Sequence, residues 1–112
     1  MQPNDRAYVW DMISAAEDII NFVKDMYPHE FSADKRTRFA VERQLLVIGE
    51  ATKHISEEIK KEYPEIPWRT LKQLRNIIAH EYGEFLVERI WNIARKNIPE
   101  LLINLKKINL DD

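Results

Sequence analysis

Arginine, asparagine, histidine and tyrosine fall close together in the segment Arg75-Asn76-Ile77-Ile78-Ala79-His80-Glu81-Tyr82. These residue types suit cleavage of an RNA phosphodiester without a metal. The 2′-hydroxyl of RNA is an internal nucleophile, so proximity is already provided. A base must take its proton, an acid must protonate the leaving oxygen, and a cation must offset charge on the phosphorane. Histidine moves protons near neutrality. Arginine grips phosphate through a forked donor, and asparagine can orient either group. By spacing alone the same residues are more commonly a solvated helix face, and both readings stand at this point.

Other chemistries find less support in the chain. His29 and His54 have no second ligand at metal spacing, and no H-E-x-x-H occurs. The only glycines, Gly49 and Gly83, are isolated, so a glycine-rich phosphate loop is excluded. Glu57 and Glu58 sit among lysines and read as a solvated face. The absence of cysteine rules out disulfides, thiolate zinc sites and a cysteine nucleophile. Neither a metal nor a cofactor is expected. Net charge is −2, so any RNA contact must be a local pocket for a few phosphates, because no basic face is available to coat a duplex.

The elements that must position the segment are helices. A chain of 112 residues is one domain, 1–112, and 45% hydrophobic residues can supply a modest core. Two glycines and five prolines leave little turn chemistry for a β architecture. Helical spacing predicts a first helix, capped by Asn4 or Asp5, to about Met26. A second, capped by Ser32, runs to about Glu62. A third starts at Pro67 or Trp68 and ends near Tyr82, with Gly83 as its stop. A fourth carries Val87, Ile90, Trp91, Ala94 and Ile98, and Pro99 opens or kinks a last one with Leu101, Leu102, Leu105 and Ile108. The expected fold is an all-α antiparallel bundle of four to five helices with short loops. The polar start and the lack of any apolar run of ~20 residues predict a soluble, cytoplasmic protein with no membrane span.

On the third helix Leu71, Leu74, Ile77 and Ile78 form the core stripe. Asn76 and His80 are neighbours at i,i+4 on the side away from it. Arg75 and His80 point ~140° apart on an ideal wheel. They converge only if the helix distorts before Gly83 or if each faces its copy across a two-fold axis.

The second helix suggests where such a copy would sit. Val41, Leu45, Ile48, Thr52, Ile55 and Ile59 form one seam, while Phe39 and Leu46 lie opposite and Ala40, Val47 and Ala51 lie between. A helix apolar over most of its circumference is buried on more than one side. A second subunit would supply the missing cover, and a homodimer is expected; neighbouring helices of the same chain are the other possible cover.

The motif Arg75-x-x-x-x-His80-x-Tyr82 resembles the R-x-x-x-x-H-x-Y signature of HEPN-domain proteins, specifically HepT-like toxins. Val41-Glu42-Arg43-Gln44, Ile48-Gly49-Glu50-Ala51, Tyr63-Pro64-Glu65-Ile66-Pro67-Trp68-Arg69 and Pro99-Glu100-Leu101 are also similar to that family. The resemblance covers roughly residues 5–108. It implies a HEPN-like bundle acting as a homodimeric RNase toxin, with Arg75 and His80 of both subunits in one cleft and Asn76 beside them. It implies as partner a minimal nucleotidyltransferase (MNT) antitoxin that transfers AMP to Tyr82, placing phosphate beside Arg75. Glu81 adds a carboxylate next to the histidine, where it would repel RNA phosphate. The competing expectation is a binding module without cleavage of its own, regulating or presenting nucleotide to a nucleotidyltransferase.

Overall fold

The structure, a computed structural model, is described for residues 1–111. In chain order the helices are α1 (Asp5–Val23), α2 (Pro28–Ala33), α3 (Lys35–His54), α4 (Glu57–Glu62), α5 (Trp68–Lys72), α6 (Leu74–His80) and α7 (Gly83–Asn92). A π-helical turn (Ile93–Asn97) then leads directly into α8 (Ile98–Leu105). Among the described residues there is no strand, as the composition predicts, and no helix is long and apolar enough to cross a membrane.

Cross-links between the long helices fix their directions. Ser56 donates to Asp5, Thr52 meets the Met12 sulfur, and Gln44 donates to Asp18, so α3 runs antiparallel to α1. Arg95 donates to the Val23 carbonyl at 3.3 Å and Lys106 pairs with Glu17 at 3.8 Å. The rod formed by α7, the π turn and α8 is therefore also antiparallel to α1. Val9, Met12, Ile19, Leu45, Ile48, Ile90, Ile98 and Leu105 fill the space between the three rods. Each fully buried aliphatic side chain contributes roughly 1.5–3 kcal/mol. Thr52 is buried on the same seam because its hydroxyl donates to the Ile48 carbonyl at 2.8 Å, leaving no polar atom unsatisfied.

Several predicted boundaries move, each for a local reason. Ser32 is not the cap of the long helix. It lies in α2, which Pro28 opens, and Asp34 caps α3 by accepting the Thr37 N–H at 3.0 Å. The predicted single helix to Glu62 is two helices. At the break Ser56 accepts the Ile59 N–H as N-cap of α4, while its own N–H and hydroxyl donate to Asp5 at 2.8 and 2.6 Å. Asp5 is thus committed to this junction and to the Gln2 N–H, and Asn4, at the N-cap position of α1, makes no side-chain cap. The third predicted helix divides at Gln73, whose φ −88° and ψ −1° depart from helical values, and it ends at His80. Gly83 is no terminator: with φ +61° it starts α7, in a conformation glycine adopts at little cost. Pro99 stands in the first turn of α8 and so opens the last helix as expected, although the rod continues into it from the π turn. Its ring would collide with the Arg95 carbonyl four residues back, and the wider π turn before it, in which the Ile98 N–H reaches the Ile93 carbonyl, absorbs the conflict.

One contact sets α5 and α6 against the bundle. A Cβ built on Gly49 of α3 would lie 3.2 Å from the Leu71 carbonyl oxygen and 3.6 Å from the Leu74 Cβ. The missing side chain at 49 lets the segment carrying Arg75 and His80 press onto α3.

Candidate functional site

The entry to the segment is held first. The Trp68 indole N–H donates to the Tyr63 carbonyl at 3.0 Å, and the Tyr63 hydroxyl accepts the Asn109 N–H at 3.1 Å. Tyr63-Pro64-Glu65-Ile66-Pro67 is thereby tied to the C-terminal end of the bundle. Leu71 and Leu74 are buried, and Ile77 and Ile78 are half-buried against the core. The face of α6 turned away from this stripe is open.

On that face a cavity of about 650 Å³ is lined by Lys53, Arg69, Lys72, Gln73, Arg75, Asn76, Ala79 and His80. Arg75, Asn76 and His80 therefore share one groove within a single chain. Arg75 and His80 both line it although they point ~140° apart on an ideal wheel. Arg75 also lines a neighbouring cavity of about 350 Å³ that contains Tyr8, Arg43 and Glu50, so it stands on the ridge between the two.

The electrostatics of the groove are one-signed. Four cationic side chains and no carboxylate line it. Among the described residues, no hydrogen bond or ion pair engages the side chains of Arg69, Lys72, Arg75, Asn76 or His80, whereas Lys53 pairs with Glu50 at 3.6 Å. Glu81 does not face the groove. Its carboxylate accepts from Arg89 of α7 at 2.9 Å, which meets the expectation of phosphate repulsion with a local countercharge. No group of three histidine or acidic side chains placed to hold a metal occurs among the described residues.

Tyr82 is separate from the other motif residues. Extended backbone at Glu81 and Tyr82 carries the chain off the end of α6, and Tyr82 is 78% exposed outside the groove lining. Two residue steps keep its Cα within ~7 Å of the His80 Cα. Its hydroxyl has no partner among the described residues.

Lys53, Arg69 and Lys72 were not among the candidates read from the sequence. Lys72 lies three residues before Arg75, a neighbour spacing visible in the chain, whereas Arg69, six before it and ~120° away on an ideal wheel, reaches the groove from α5. Lys53 joins them only through the packing of α3, which no local pattern reveals.

An all-α bundle with an arginine and a histidine in one cationic groove is the class the geometry defines. The profile of the Ribonuclease HepT-like family matches residues 12–108. A Methanocaldococcus jannaschii protein named "Putative RNase" is 40% identical over 106 residues, covering 95% of this chain and 91% of the relative. A second protein of that name from the same organism is 34% identical over 96 residues, covering 86% and 88%. "Probable ribonuclease HepT" of Thermococcus cleftensis is 35% identical over 108 residues, covering 96% and 98%. The chain belongs to the Ribonuclease HepT-like family. No solved structure gives a significant match.

Proposed function

We propose that the chain is a metal-independent endoribonuclease, the toxin of a HEPN/MNT toxin–antitoxin pair, working in the cytoplasm as a homodimer. The observation that carries this reading is the shared groove: Arg75, Asn76 and His80 line one cavity with four cations, no carboxylate and no internal partner for any of the three side chains. The ribonuclease names of the relatives point the same way.

In the proposed reaction the 2′-oxygen attacks phosphorus while a base takes its proton. The bond from phosphorus to the 5′-oxygen breaks, and an acid protonates that oxygen. The products are a 2′,3′-cyclic phosphate and a 5′-hydroxyl. Two copies of His80, one from each protomer, supply base and acid, Arg75 clamps the phosphorane, and Asn76 orients the imidazole.

A second copy would cover a face that this chain leaves open. Phe39 is 55% exposed on α3, and Leu46 and Val47 are only half-buried, although the opposite seam from Val41 to Thr52 is closed. A two-fold axis near this face would, in this reading, join the two grooves into one cleft, because the cavity beside Leu46 and Val47 is also lined by Lys53 and Arg75 of the groove. In this reading Tyr82 is the AMP acceptor for the antitoxin: its side chain is exposed, its hydroxyl is unengaged, and it stands two residues along the chain from His80. Induced expression of the chain alone is expected to arrest growth, and Arg75→Ala or His80→Ala to relieve the arrest. Equal toxicity of both variants would contradict the assignment.

A further inference from the structure

The groove holds more positive charge than one scissile phosphate requires. Arg75 suffices to clamp a phosphorane, yet Arg69, Lys72 and Lys53 line the same cavity. Arg69 and Lys72 are exposed and free of acidic partners among the described residues, in a chain whose net charge is −2. Such local concentration of one sign favours an anionic ligand that reaches past Arg75. Arg69 and Lys72 on α5 and Arg75 on α6 are separate cations lining one groove, enough to meet more than one phosphate of a strand. The four other cavities described each contain Asp or Glu.

We infer that Arg69 and Lys72, with Lys53 facing them from α3, form a phosphate track that runs away from Arg75 and holds the phosphates next to the scissile one. The ligand is a single RNA strand of several nucleotides. A dinucleotide occupies only the Arg75–His80 end, and a chain of net charge −2 with one local cationic groove is poorly suited to coat a duplex. The inference rests on the ribonuclease reading for its substrate but concerns binding residues that have no part in proton transfer.

The test is anisotropy of the full chain with labelled, uncleavable 2′-O-methyl RNA, as a short single strand, the corresponding duplex and a dinucleotide. Wild type is expected to bind the strand more tightly than the dinucleotide by roughly tenfold or more for each added charge-assisted contact. Arg69→Ala with Lys72→Ala should remove most of that advantage while dinucleotide affinity falls far less. The salt slope for the strand should shrink by ~1.4, the value for two phosphate contacts on single-stranded nucleic acid. The charge-keeping pair Arg69→Lys with Lys72→Arg should retain most of the affinity. Both side chains are exposed, so thermal unfolding of the double alanine variant should match wild type.

Strand binding unaltered by the double alanine change, or dinucleotide affinity falling in parallel, overturns the track. Preference for duplex overturns the stated ligand. Length-dependent binding by a protein that cuts no RNA would leave the track standing and remove the ribonuclease reading instead. Cleavage of strand and dinucleotide with equal efficiency would do the reverse.

Discussion

The Glu81 carboxylate, one residue past His80, accepts a hydrogen bond from Arg89 at 2.9 Å and so turns toward α7, not toward the groove. This arrangement lets an acidic residue follow the histidine without opposing phosphate. Arg89→Gln should release the charge and weaken RNA binding, and Glu81→Gln in the same chain should restore it. An exposed ion pair of this kind is worth up to ~1 kcal/mol, so the expected loss is at most about fivefold. Affinity of the two single variants and the double variant for one RNA strand checks it.

Gly49 governs how closely the site segment approaches the bundle. Its replacement by alanine sets a Cβ 3.2 Å from the Leu71 carbonyl oxygen, and backbone cannot move aside as a flexible side chain would. Gly49→Ala should cost roughly 1–3 kcal/mol, the range for overpacking. Denaturant unfolding measures this, and RNA cleavage should fall further than the residual folded fraction explains, because α5 and α6 shift together.

Asp5 joins the start of α1 to the start of α4. Burial raises its carboxyl affinity for protons, but the Ser56 hydroxyl and N–H and the Gln2 N–H outweigh that and hold it below the ordinary value of 3.8. A depressed folded-state value means that the stabilisation is complete above the unfolded value and is lost as pH falls through the folded one. Wild type should therefore lose stability below about pH 4, while Asp5→Ala, less stable at neutrality by ~1–3 kcal/mol, should lose less over the same acid range. Thermal unfolding from pH 7 down to 3 compares the two curves.

Tyr82 gives a prediction that does not involve cleavage. Co-expression with an MNT-type nucleotidyltransferase should add AMP-sized mass to the intact chain, and Tyr82→Phe should remove the addition. Addition persisting in the phenylalanine variant would place the acceptor elsewhere.

The helical class and most of the core were legible because each relied on short-range periodicity: the seam from Val41 to Thr52 is buried as its spacing requires. The break at Ser56 was also legible. Ser56-Glu57-Glu58-Ile59 is a cap followed by acidic first-turn residues, but the unbroken apolar seam through Ile55 and Ile59 masked it. The π turn was harder to read, since Pro99 marks a conflict without saying whether the helix ends or widens. At the site, Arg75, Asn76 and His80 were visible as types at a spacing. Their convergence was not, because it arises where the groove spans the whole outward face of α6 and not from any two side chains meeting. Lys53 depends on α3 packing at Gly49, a contact between residues more than twenty positions apart in the chain.

The most direct test of the account is cleavage of a defined RNA strand by the purified chain in excess EDTA, comparing wild type with Arg75→Ala and His80→Ala. The expected result is cleavage to a 2′,3′-cyclic phosphate and a 5′-hydroxyl that EDTA leaves intact. Each variant should lose at least ~100-fold, as expected when a proton-transfer group or a charge clamp is removed. A 2′-deoxy substitution at the scissile nucleotide should prevent it. Cleavage that EDTA abolishes, or that both alanine variants retain at the wild-type rate, would contradict the claim that Arg75 and His80 form the catalytic site.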